Sequence, residues 1–169
     1  MVGTTVTFDP HVYGPAAARF LLREQSAAEL ERCTAAELFD GSPLPREALS
    51  GLWLFFDELD RSHALSQDLP SREGSFWHGI MHRREPDPAN AAYWFRRVGR
   101  HAIFPALAEA AAAAGFASGR GAEWDPFAWI DYWEEARRKP GSSQYAIALE
   151  VQCVEWELLF DYCARPKTK

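Results

Sequence analysis

The sequence predicts an all-α fold: a bundle of about six to eight helices, built as one domain over residues 1–169. Three observations predict it. Proline followed by helix-forming residues recurs as start punctuation, apolar residues return at intervals of three and four, and no alternating β pattern of useful length occurs.

The elements follow in order. Asp9-Pro10 or Gly14-Pro15 opens a first helix to about Gln25, with Tyr13, Ala17, Phe20 and Leu21 on one face. A short helix covers Ala27 to Phe39 and ends at Asp40-Gly41. Pro45 opens an amphipathic helix, the central strut, in which Leu49, Leu52, Phe56, Leu59 and His63 share a face. Ser71 to Arg84 reads as the next helix, stopped at Glu85 because a residue before proline is pushed out of the α region. Asp87-Pro88 restarts the chain as a helix to Val98, closed by Gly99. An Ala-rich helix spans Pro105 to Ala114, and the loop Gly115 to Gly121 follows. Asp125-Pro126 opens a helix through Lys139, and a long, largely apolar helix runs from Ser143 to about Ala164.

Composition bounds the function classes. With 47% hydrophobic and 14% aromatic residues, global disorder is excluded, and the seven Trp and eleven Phe must fill a core or line a pocket. Cys33, Cys153 and Cys163 form no CxxC pair. Their odd number and the absence of a charged-then-apolar leader in MVGTTVTF lead us to expect a reducing, cytoplasmic setting. The run Ala110 to Ala114 is too short for a membrane span, so no membrane partner is expected. A net charge of −6 argues against a general nucleic-acid binder. Yet between Arg72 and His101 six arginines face only Glu73, Glu85 and Asp87, which suits a small anionic molecule as partner. No nucleophile motif, phosphate-binding loop or dinucleotide fingerprint is present.

Chemistry-bearing residues concentrate in the same stretch. His78, His82 and Glu85, at i, i+4 and i+7, fall on one helical stripe and form a candidate divalent-metal set. Paired surface histidines have the same spacing, and HxxxH without a Glu in second position is not the metalloprotease pattern. Phe76, Trp77, Ile80 and Met81 define the apolar face of that helix, and Arg84 falls within it. A guanidinium there needs a partner, either Glu155 or an Asp in a bridge that ties helices together, with direct contact to a ligand as the alternative. Asn90, Tyr93 and Arg97 form a polar ladder on the next helix, either an amphipathic solvent face or an amide, a phenol and a guanidinium able to orient a carboxylate or phosphate. Glu155 lies in the apolar face of the last helix, as half of a buried ion pair or as an acid/base group with a raised pKa. His63 sits on the apolar face of the strut, where a core histidine bonded to a backbone carbonyl competes with a ligating role.

The segments WHGIMHRREPDPANAAYWFRRVGRH (77–101) and EWELLFDYC (155–163) resemble an uncharacterised microbial protein family. In that family a His-Gly…His-Arg-Arg-Glu segment precedes Tyr-Trp-Phe/Tyr-Arg. The resemblance covers about a fifth of the chain and implies kinship without an activity; it also implies that residues 77–101 and Glu155 belong to one feature. Two functional expectations follow. One is a small-molecule enzyme or binding protein, with a divalent metal as candidate cofactor, in which His82 or His78 is base or ligand, Glu155 the acid/base partner, and Arg83, Asn90, Tyr93 and Arg97 hold an anion. The other is a noncatalytic interaction or structural domain whose Arg/His/Glu cluster is an ion-pair network.

Overall fold

The structure is a computed structural model describing residues 8–117 and 123–167. These residues form ten α-helices, eight of them seven residues or longer, and no strand; the fold is all-α. A 3-10 turn (Pro10–Tyr13) leads into α1 (Pro15–Leu21), α2 (Ala27–Leu30), α3 (Ala35–Leu38), α4 (Pro45–Phe55) and α5 (Leu59–Ser66). Then come α6 (Arg72–Arg84), α7 (Pro88–Val98), α8 (Phe104–Ala114), α9 (Pro126–Ala136) and α10 (Ser143–Ala164). Of the expected loop from Gly115 to Gly121, residues 118–121 lie outside the described residues.

Helix starts follow local chemistry. Ser71, Asp87, Asp125 and Ser142 each accept a backbone N–H of the first turn of α6, α7, α9 and α10. Gly115 closes α8 in the left-handed conformation. Two expected helices are divided in the structure. The stretch Ala27 to Phe39 splits into α2 and α3, because Ser26 with Glu29 and Thr34 with Glu37 each build a capping box, and the second starts a new helix. The strut from Pro45 to His63 breaks after Phe55, where Asp57 takes a positive φ of 64° and the chain restarts as α5.

The core has two apolar clusters. The larger gathers Phe20, Leu52, Phe76, Trp77, Phe95 and Phe160, among others, from the N-terminal helices, α6, α7 and α10. The smaller gathers Leu107, Phe116, Trp124, Trp129, Trp133 and Val151 from α8 to α10, and Phe104 and Leu158 pack against both. α6 runs through the centre, packed on α4, α5 and α7. Every residue from Gly74 to Arg83 is buried, so the two histidines of the stripe expected on this helix are enclosed rather than solvated, while Glu85 beyond them is exposed.

Close helix approach needs small residues. Gly79 of α6 lies against Phe95 of α7, where an added Cβ would stand 2.8 Å from Cε2. Ser50 and Ser62 meet at 2.9 Å between α4 and α5.

The partners of the two arginines ending α6 differ from a simple projection. Arg83, not Arg84, reaches Glu155. Both guanidinium amino groups contact its carboxylate, Nη1 at 3.1 Å from Oε1 and Nη2 on Oε2, and both residues are 0% exposed. Arg83 also lies 5.5 Å from the Trp129 ring, at the border of the smaller cluster. Arg84 takes the Asp alternative: it donates to Asp57 and, at 2.8 Å, to the Leu54 carbonyl, tying α6 to the broken end of α4.

Removing one partner of a buried pair strands the other charge. Glu155→Gln therefore lowers the unfolding free energy by about 3–5 kcal/mol, measured by urea denaturation, whereas the double change Arg83→Met/Glu155→Leu recovers much of that loss. Gly79→Ala forces the α6–α7 contact apart and costs about 1–3 kcal/mol in the same assay.

Candidate functional site

α5 and α6 form an antiparallel pair joined by a short connection, and the pairing brings His63 of α5 to the two histidines of α6. His63, His78 and His82 each present a ligand atom, and the three atoms lie within 4.8 Å of one another. Ring centroids are 4.7 Å apart for His63–His78, 4.8 Å for His78–His82 and 5.5 Å for His63–His82. His78 and His82 are buried and His63 is half-buried, which leaves the cluster near the surface on the α5 side.

Hydrogen bonds around the rings orient them. Nδ1 of His78 lies 2.8 Å from Oγ of Ser66. Ser66 Oγ also lies 3.4 Å from the His63 carbonyl, which ties it to both histidines. Nδ1 of His82 lies 3.2 Å from Oε2 of Glu85 and donates to it. In His82 the proton is thus on Nδ1 and the lone pair on Nε2. This is how partners around metal-binding histidines set the tautomer and raise ligand basicity.

Trp94 of α7 covers His78, with ring centroids 4.0 Å apart, and the Arg97 guanidinium lies 5.0 Å from the Trp94 ring. Burial, with the positive charge of His82, His63 and Arg97 added, lowers the pKa of His78 to about 3. Burial also lowers that of His82, although Glu85 and Asp87 act in the opposite direction. Both imidazoles are therefore neutral at physiological pH, the form that ligates metals.

The residues singled out in the sequence divide into three groups. His78 and His82 lie in the cluster, and Glu85 stands behind His82 as a hydrogen-bond partner, while His63 completes the set. Arg83 and Glu155 occupy each other, buried in an ion pair; this geometry supports the structural reading of Glu155 over an acid/base one. Asn90 caps α7 through Asp87, to which it donates from its backbone and, at 2.7 Å, from Nδ2. Tyr93 is exposed, edge-on to Trp94. Of the Asn90-Tyr93-Arg97 ladder, Tyr93 and Arg97 both contact Trp94, which covers His78.

His63 was the residue least visible in the sequence. The legible clue is the hairpin itself: with Leu69-Pro70 as its turn, Ser66 falls opposite His78, and His63, one helical turn further on, lies against both His78 and His82. A second buried histidine, His101, donates from Nε2 to Glu73 at 3.2 Å and accepts from the Ile103 N–H at Nδ1, so both its nitrogens are engaged.

Fold and site together define an all-α protein with a three-histidine cluster held by its own hydrogen-bond shell. No protein-family model, curated protein or solved structure matches the chain. The likeness of residues 77–101 and 155–163 to an uncharacterised family accordingly brings no activity with it.

The neutral histidines make a pH prediction for the chelator-treated protein. The unfolded chain takes up a proton at His78 near pH 6.5, whereas the folded chain resists it down to about 3. Their contribution is therefore full above about pH 6.5 and is lost as the pH falls below it. The urea midpoint should drop between about pH 7.5 and 5, and His78→Gln should flatten that dependence.

Proposed function

We propose that the protein is a divalent-metal-dependent enzyme or binding protein for small molecules, with His63, His78 and His82 as the metal ligands. The observation that carries the reading is the convergence of three imidazoles from two helices, two of them with Nδ1 hydrogen-bonded to Ser66 and Glu85. A ligand set of three neutral nitrogens suits zinc and its first-row neighbours rather than magnesium or calcium, which take oxygen ligands.

The number of ligands argues for a reactive site. Structural zinc sites close with four protein ligands, whereas catalytic ones keep a position for water or substrate. The described residues supply three ligand atoms to this cluster. Neutral imidazoles leave the ion its full charge, with which it can polarise a bound water or carbonyl oxygen. In this reading Ser66 and Glu85 are positioning residues, and Trp94 shields one side from water. The ion-pair network also foreseen accounts for Arg83 and Glu155 but leaves the histidine convergence without a role.

Calorimetric titration of chelator-stripped protein with zinc tests this. Wild-type protein binds one equivalent and melts at a higher temperature once loaded. His63→Ala abolishes binding, while Glu85→Gln retains it with affinity reduced about 10–100-fold, as loss of a partner behind the ligand does. Binding unaffected by His63→Ala, or abolished by Glu85→Gln, would assign the ligand set differently.

A further inference from the structure

We infer that the small molecule taken by this site carries a carboxylate remote from its metal-binding end, and that Arg97, resting on Trp94, receives it. The inference rests on the metal reading above and names its ligand class.

Three observations carry it. First, Trp94 contacts both a cluster histidine and Arg97: its ring lies 4.0 Å from His78 and 5.0 Å from the Arg97 guanidinium carbon. Arg97 is near enough to the cluster for its charge to act on His78. Second, among the described residues Arg97 has no carboxylate within ion-pair distance, whereas Arg83 and Arg84 of the same basic stretch are each paired. An aromatic platform holds the guanidinium in place while leaving its in-plane N–H fork free for a planar anion. Third, the two acidic residues between α6 and α7 are engaged elsewhere: Glu85 accepts from His82, and Asp87 caps α7 through Asn90.

Charge agrees with this assignment. A divalent ion on three neutral imidazoles, with Arg97 beyond it, presents two separated positive centres. A dianion with a carboxylate at each end satisfies both, and the guanidinium fork matches a carboxylate bidentately. The exposed Tyr93, edge-on to Trp94, flanks the same face.

The test uses full-length protein stripped with chelator and loaded with cobalt(II), whose visible absorption reports its coordination. Glutarate, with two carboxylates, is titrated against acetate and inorganic phosphate, in wild type and in Arg97→Gln. Expected are a cobalt spectrum in both proteins with metal affinity not reduced in Arg97→Gln, tighter binding of glutarate than of acetate by wild type, and a loss of about tenfold or more in glutarate affinity in Arg97→Gln that acetate does not share. Arg97→Lys should restore part of the loss. Absence of a cobalt spectrum in wild type would overturn the metal reading and this inference with it. A normal spectrum with glutarate binding no tighter than acetate, or unaffected by Arg97→Gln, would overturn the inference alone. Phosphate binding that depends on Arg97 while glutarate binding does not would replace the carboxylate with a phosphate.

Discussion

The buried pair of Arg83 and Glu155 constrains everything around it. Two ionised groups with no exposure lose their hydration on folding, and the desolvation cost is recovered only if the two meet with good geometry. Such a pair adds little net stability. Its effect is selective: any packing of α6 that turns Arg83 away from α10 leaves a buried charge alone, which costs several kcal/mol. The rotation of α6 about its axis is thereby set, and it is a helix buried along almost its whole length.

Once that rotation is set, the remaining side chains of α6 have determined destinations. Phe76, Trp77, Ile80 and Met81 enter the larger apolar cluster, and Gly79 meets Phe95 where a side chain would not fit. Arg84 reaches the broken end of α4 at Leu54 and Asp57. His78 and His82 are left on the side that faces α5 and α7, against Ser66, His63 and Trp94. The small serines of α4 and α5 allow the close approach that brings His63 within reach. The histidine cluster is thus a consequence of how the ion pair and the glycine contact seat one helix.

Much of the architecture was legible in the sequence because helix starts are local chemistry. Ser71, Asp87, Asp125 and Ser142 act through their own first turns, and the helices they open could be read directly. The break after Phe55 could not, since it carries neither glycine nor proline and depends on Asp57 adopting a positive φ and meeting Arg84. The capping boxes dividing α2 from α3 were readable but were overridden by a continuous helical pattern. Projection also placed Arg84, rather than Arg83, as the first choice for Glu155. A projection assumes one buried and one solvated face, and α6 is enclosed on all sides, so long side chains select partners by reach. The candidate site was half visible: the i, i+4 spacing exposes His78 and His82, but His63 joins them only through the antiparallel pairing of two helices, a tertiary fact.

The central claim, that three imidazoles from α5 and α6 converge on one metal ion, is tested most directly by X-ray absorption at the zinc edge of the loaded wild-type protein. The account predicts light nitrogen or oxygen neighbours at about 2.0–2.1 Å with the outer-shell scattering of three imidazoles. A sulfur neighbour at about 2.3 Å, or scattering from no more than one imidazole, would contradict it.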